Sequence, residues 1–552
     1  MALFMSILQL LAGVGVFMAG MKFMSDGLQQ SAGKGMRQMF NRLSDKKLAG
    51  YGIGAGVTSL IQSSAATSVM AMGLVNAGIM QLTQATAIVL GAKLGTTITG
   101  VIVALSAFGS GGFSLNVFFA AFSLVGVAMM LFSKKERVNR IGIILTGFGL
   151  IFVGLIFMSS AMGTELIKSF FVNLFSTIKN PILLMLISLL FTALIQSSSA
   201  ATGIYITLMG VGTMTTYQAF FLVIGANVGT CITAVLAAIG ASTNSKRVAF
   251  LHVITSVFGA VVFCILLAIC GNQIARFMDG IIDIPGWRIA IFNVAFNLSY
   301  TLLLLPFVGQ LAKLSQVLIK DNTKEKHSAI KFIDDRLLKT PTIAITQVQK
   351  EVLHMASLAK ENLAIAMEAL ISCDISKNDL LEGNEADINV LNKEIALYLI
   401  KISSLNISSS DEKLLGTLHH VINDIERIGD HAENFMELAG GLLQDNAEFS
   451  EDAIEELKNM YSKVDEMFGL GLNVVETRNK KGLKMIAQLE DEVDTLKKVY
   501  GDHHILRLHA QKCSVEGGTY FYDVITELER IADHITNIAF SVDSPTGTQT
   551  AV

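Results

Sequence analysis

Apolar positions run without interruption over 3–24, 113–133, 140–162, 248–271 and 287–310. About 20 apolar residues cross a bilayer as a helix, so each stretch predicts a membrane helix. Two more, near 83–107 and 217–240, are expected to break at the Gly-rich runs GAKLGT (91–96) and GANVGT (225–230). A further two, near 48–79 and 182–213, are split in the middle by the polar tripeptide QSS. From about Asp321 the period changes. Apolar residues recur at three and four, as in IAITQVQKEVLHMASLAKENLAIAMEAL (343–370), which predicts amphipathic helices. Breaks at 375–379, 407–413 and 444–450 divide this part into two antiparallel three-helix units of about 100 residues each.

The broken stretches repeat each other. Residues 58–99 and 192–233 align without a gap at an offset of 134, with 19 of 42 positions identical. The same offset superimposes Gly13, Gly15, Gly20, Phe23, Met24 and Ser25 on Gly147, Gly149, Gly154, Phe157, Met158 and Ser159. Two merely apolar helices would not keep register through QSS, GAxxGT and the helix ahead of both.

Charge divides the chain and orients it. Residues 1–312 hold 17 Lys/Arg and 6 Asp/Glu, and residues 313–552 hold 25 and 40, within a total of −4. Hydrophobic residues make up 52% and charged residues 16%, which excludes disorder, collagen and a disulfide scaffold. The five Cys form no CxxC pair. The opening segment lacks a basic n-region and a cleavage site, so it reads as a retained first helix. Basic clusters at Lys34, Arg37, Arg42, Lys46 and Lys47, at Lys134, Lys135, Arg137 and Arg140, and at Lys246 and Arg247 belong on the cytoplasmic side. All three lie inside if each QSS stretch is a re-entrant hairpin. The N-terminus is then outside, seven segments cross, and the two copies have opposite orientation. The expected fold class is all-α: a polytopic membrane protein with two inverted repeats, plus a cytoplasmic pair of three-helix bundles.

Inverted repeats with broken helices are the layout of many secondary transporters, with the site near the midplane. Hydroxyls, amides and freed carbonyls there can hold a small hard cation, and helix N-termini an oxyanion. No Asp or Glu falls in the predicted cores, so a sodium site would be built from neutral oxygens. A single Ser in such a helix usually bonds its own backbone, and Gly52, Gly54 and Gly56 read as packing positions. His252 reads as a satisfied packing residue rather than a proton relay. Lys93 stands where the other copy has Asn227; it could attract an anion, replace a cation, or snorkel to the surface.

With QSSxA and GAxxGT in two copies, residues 1–312 resemble the type II sodium–phosphate cotransporter family, bacterial branch. The resemblance implies sodium-driven movement of inorganic phosphate, with sodium as the co-transported ion and the QSS hairpins forming the sites. By position it implicates Gln62, Ser63, Ser64, Gln196, Ser197, Ser198 and Ser199, then Asn227, Thr230, Thr96 and Thr97. Ala65 in place of a third Ser, and Lys93 in place of the usual Asn, are departures in the first copy that touch the sodium stoichiometry.

The C-terminal part is also duplicated. Glu426, Arg427, Ile428, Asp430, His431 and Asn434 align at an offset of 103 with Glu529, Arg530, Ile531, Asp533, His534 and Asn537. Glu and Asp at i and i+4 share a helix face, where they form either a solvated charged surface or, opposite their counterparts, a transition-metal site. ERIGDHAEN and ERIADHITN resemble the PhoU family of phosphate-signalling regulators over about 340–541. That resemblance implies metal binding through Glu426, Asp430, Glu529, Asp533, Glu490 and Asp494, with Asn389 interrupting the pattern opposite Glu385.

The expected division is a membrane domain over 1–312 (repeats about 5–133 and 139–270, final helix 287–310), a linker over 313–340, a PhoU-like domain over 341–541 and a disordered tail over 542–552. The expected function is a sodium-coupled phosphate symporter of the inner membrane, working by alternating access under control of the PhoU-like domain. A phosphate exporter of the same fold and a phosphate receptor are the alternatives. The partners are phosphate, sodium, the bilayer and a cytoplasmic regulator or second copy; no nucleic acid is expected. No nucleophile constellation or GxxxxGK[ST] loop points to an enzyme.

Overall fold

Helix is the only repeating structure among the described residues of the computed structural model, which are 2–41, 46–76, 80–105, 115–239, 241–320, 329–405, 407–477 and 479–542. The chain divides into two units, Met1–Thr323 and Lys324–Val552. The proposed tail beyond residue 542 and part of the linker lie outside the described residues.

The first unit contains α1 (Ala2–Asn41), α2 (Lys47–Ile61), α3 (Ser64–Asn76), α4 (Leu82–Ala104), α5 (Leu115–Ala120), α6 (Phe122–Phe132), α7 (Glu136–Met162) and α8 (Glu165–Thr177). It continues with α9 (Pro181–Ile195), α10 (Ser198–Gly210), α11 (Thr216–Gly229), α12 (Ile232–Ala238), α13 (Thr243–Ile281), α14 (Pro285–Leu304) and α15 (Val308–Leu318). Seven helical segments among the described residues are long and apolar enough to cross a membrane. Their apolar side chains point outward as well as inward: Leu124 and Leu131 are 74% exposed and Phe132 is 88% exposed, as suits lipid contact.

Small residues set the packing. On α1 and α7 a Cβ added at Gly13 would lie 3.0 Å from the Gly154 carbonyl, and one at Gly20 would lie 2.8 Å from that of Gly147. The helices therefore run antiparallel at backbone contact, and glycine is what allows it. In the same way α2 and α4 run parallel, with Gly91 against the Tyr51 carbonyl and Gly95 against that of Ala55. In the second copy Gly225 meets the Met185 carbonyl and Gly229 that of Leu189, each displaced by 134. Gly54 likewise seats the Ile88 carbonyl. GAKLGT therefore does not break its helix: α4 is continuous through it, because its glycines are consumed by packing. Only the second run is interrupted, at Thr230 and Cys231 between α11 and α12.

The second unit contains α16 (Pro341–Ser372), α17 (Asn378–Ser403), α18 (Ser409–Gln444), α19 (Glu451–Thr477), α20 (Leu483–His509) and α21 (Val515–Phe540). Pro341 opens α16 at a position that needs no amide donor. Ser408 and Ser514 cap α18 and α21 by accepting from the amides of Asp411 and Gly517. Each helix buries one stripe; on α21 it is Phe521, Val524, Ile525, Leu528, Ile531, Ile535 and Ile538. The segment ahead of α16 docks on this unit: the amides of Lys331, Phe332 and Ile333 donate to the Glu351 carboxylate, and Tyr398 donates to the Asp334 carbonyl at 2.8 Å.

Candidate functional site

Both QSS tripeptides fold into the same reversal. Gln62 and Gln196 end α2 and α9 in the left-handed conformation, with φ of 58° and 56°. Their amides donate to the carbonyls of Thr58 and Thr192 at 2.7 Å. For a residue bearing a Cβ this conformation costs about 1–2 kcal/mol, so it is held by its surroundings. Ser63 and Ser197 then cap the next helix, accepting from the amides of Ala66 and Ala200 at 3.2 Å. These two serines are thus engaged in forming the tip.

The next serines differ. Ser64, Ser198 and Ser199 are buried, and their hydroxyls make no hydrogen bond among the described residues. The two glutamines also differ. Gln62 is 8% exposed; its Nε2 donates to the Ser59 carbonyl at 2.5 Å and its Oε1 accepts from Thr99 Oγ1. Gln196 is exposed. Thr96, Thr97 and Thr230 donate to carbonyls of their own helices, at Ala92, Leu94 and Ala226.

The two copies meet beside the first tip. Gly100, next to Thr99, packs near Thr202 of α10 and Asn293 of α14. Asn293 Oδ1 accepts from Asn227 at 3.1 Å and from Asn297 at 2.9 Å. Thr301, one turn further on, donates to the Asn297 carbonyl at 2.5 Å and shares a hydrogen bond with Tyr51 at 2.8 Å. This ladder on α14 carries Asn227 into a buried polar line. The hydrophobic pattern does not single out Thr99, Asn293, Asn297 and Thr301; the signal it carries for them is Asn at i and i+4 within an apolar helix. Lys93 is 3% exposed and does not snorkel; its Nζ lies 2.7 Å from His252 Nε2.

In the second unit α17 packs on α18, and α20 on α21, which places the expected carboxylates on adjacent helices. Burial, then the charges of Asp430, Glu433 and Glu426, push the Glu385 carboxyl up to about 7. Asn389 donates to its Oε1 at 3.1 Å, and Gly429 leaves room for its Oε2. Burial and neighbouring acids also raise Glu426, Glu490 and Asp533. For Glu490 those acids are Asp494, Asp533, Asp491 and Glu529. The donor set suits a hard or transition cation in chemistry, though Lys497 engages Glu529 at 3.0 Å and no group of three potential ligands converges among the described residues. Between the two bundles, His431 bonds Glu527 and His534 bonds Asp424 at 2.9 Å.

Polar tips inside an apolar helical unit, followed by a unit of carboxylate-bearing helices, define a multi-pass membrane protein of the transport class. The membrane unit belongs to the Na+/Pi-cotransporter family, whose sequence model matches residues 16–160 and 162–279, and the second unit carries the PhoU domain over 352–439 and 457–542. The chain is 26% identical over 544 residues to the "Putative inorganic phosphate export protein YjbB" of Salmonella typhimurium, covering 98% of this chain and 97% of that one. YqeW of Bacillus subtilis is 29% identical over 306 residues, 55% of this chain and 95% of its own. A PhoU homolog of Clostridium acetobutylicum, named as a phosphate-specific transport system accessory protein, is 28% identical over 199 residues, 36% of this chain and 90% of its own.

Proposed function

We propose that this protein moves inorganic phosphate across the inner membrane by alternating access, coupled to sodium, with the PhoU-like unit on the cytoplasmic side regulating the flux. The observation that carries this reading is the doubled tip: a left-handed Gln, a capping Ser, then largely buried serines whose hydroxyls have no hydrogen-bond partner among the described residues. Such a tip offers neutral oxygens to a cation and helix N-termini to an anion.

The contacts of α1 and α7 support inverted repeats. Gly13 meets Gly154 and Gly20 meets Gly147, a pairing unchanged when each residue is exchanged for its counterpart 134 positions away. Reciprocal contacts between antiparallel helices are what a two-fold axis in the membrane plane produces. Re-entrant hairpins are supported by α2 and α3, joined at the tip and followed by α4 running parallel to α2. The buried, bonded Gln62 and the exposed Gln196 are what one closed and one open tip would look like. In the PhoU-like unit, Glu426, Asp430, Glu490, Asp494, Glu529 and Asp533 would hold a transition metal.

Export is the second reading, favoured by the name of the Salmonella typhimurium relative, which matches over nearly the whole length. Radiolabelled phosphate uptake into proteoliposomes, with an inward sodium gradient against choline, tests both. Sodium-dependent uptake abolished by Gln196→Ala supports the symport reading. Uptake indifferent to sodium removes the coupling, and binding without flux in either direction overturns transport in favour of a receptor.

A further inference from the structure

We propose that Lys93 and His252 form a buried proton-binding pair, and that phosphate binding at the tips draws one proton onto it. This rests on the phosphate reading of the membrane unit. Lys93 Nζ lies 2.7 Å from His252 Nε2, and His252 Nδ1 lies 2.7 Å from Ser68 Oγ. Lys93 is 3% exposed and His252 is 0% exposed.

Two nitrogens at this separation need one N–H between them. Two proton counts satisfy every group. In one, the ammonium donates to Nε2 and the Nδ1–H donates to Ser68. In the other the amine is neutral: it accepts from Nε2–H while the Ser68 hydroxyl donates to Nδ1, or it donates one of its own N–H bonds to Nε2 while Nδ1–H donates to Ser68. The first carries one positive charge and the second none. A doubly charged pair is excluded, since two buried cations in contact with no carboxylate against them repel strongly.

The other titratable group facing the pair is Cys231, whose Sγ is 3.7 Å from Nζ; Tyr300 of α14 and Tyr51 of α2 lie beyond it, interacting with one another and, for Tyr300, with Cys231. The charged residues of the surrounding helices are Lys47, Lys246, Arg247, Arg276, Asp279, Arg288 and Lys313, which lie toward helix ends or are exposed. Among the described residues no buried carboxylate contacts the pair.

The link to the tips is helical. Ser64 and Ser68 are four residues apart on α3, and Lys93 and Thr97 four apart on α4, so Ser68, which bonds His252, and Lys93 each sit about 6 Å along their helix from a candidate ligand group. An anion at the tips favours the charged state, and by reciprocity the charged state favours the anion. The proton comes from solvent when phosphate binds, resides on the Lys93 nitrogen with the imidazole hydrogen on Nδ1 (shifted there if it began on Nε2), and returns to solvent on release. No other bond changes.

The test is calorimetric titration of the purified full chain with inorganic phosphate, at fixed sodium, in Tris and in HEPES. Proton uptake is read from the buffer dependence, and Lys93→Asn, the residue of the other copy, is run beside it. The expected result is about one proton fewer taken up per phosphate by the variant. Equal uptake overturns the inference while leaving phosphate binding intact. Should the variant not fold, 15N-lysine spectra of the wild type decide. Phosphate must move one lysine Nζ signal from the neutral-amine to the ammonium position, and unchanged lysine signals overturn the pair. A wild type that binds no phosphate overturns both this inference and the reading beneath it.

Discussion

Gln62 and Gln196 share a backbone conformation and differ in what their side chains do. Gln62→Ala removes a buried hydrogen bond to Thr99, so it is expected to lower thermal stability by about 1 kcal/mol as well as flux. Gln196→Ala, losing an exposed side chain, is expected to reduce flux about tenfold or more with an unchanged unfolding midpoint. Glu385 gives a pH prediction. Its carboxyl is raised from 4.5 to about 7, so folding takes up a proton between those values. The penalty from Glu385 is therefore absent in acid, grows as pH rises through that window, and is complete above it. Glu385→Gln should slow hydrogen exchange in α17 and α18 at pH 8, by an amount of order 2 kcal/mol, and change it little at pH 4. Faster exchange in the variant at pH 8 would reverse the sign and refute the account. At this scale the tips were legible, because QSS is duplicated in register. The Lys93–His252 contact was not: the partners are 159 residues apart and neither is an acid.

Helices show where reading composition misleads. Glycine in GAKLGT looks like a breaker, yet α4 passes through it unbroken because the space is taken by the α2 backbone. The seven long apolar segments were plain from length alone, whereas α8, a short amphipathic helix, had no comparable signal. The polar ladder of α14 was hidden because Asn and Thr in an apolar helix usually satisfy only their own backbone. Glycine packing makes a paired prediction. Gly147→Ala would set a Cβ 2.2 Å from the Met24 amide nitrogen and should abolish recovery of monodisperse protein, while Gly15→Ala, with nothing within 4 Å, should be silent. Comparable chromatographic profiles for the two variants would contradict the packing argument.

Across the whole molecule, duplication occurs twice, at offsets of 134 and 103, and each pair of copies is joined reciprocally. In the second unit His431 reaches Glu527 while His534 reaches Asp424. If this unit restrains transport, a chain ended near Lys320 should move phosphate faster and lose its response to internal phosphate; unchanged rate and response would separate the two units functionally. The short helices flanking the tips have a consequence for biogenesis. At 15 and 13 residues, α2 and α3 are about 22 and 20 Å long, less than the roughly 30 Å of hydrocarbon. An insertion machinery that releases segments to lipid one at a time finds no acceptable segment there. The nascent chain must hold each hairpin back until α4 or α11 has emerged, so that each copy enters the bilayer as a block. Ribosomes stalled so that α4 is still inside the exit tunnel, or fully clear of it, should therefore separate protease-sensitive from protease-protected hairpins.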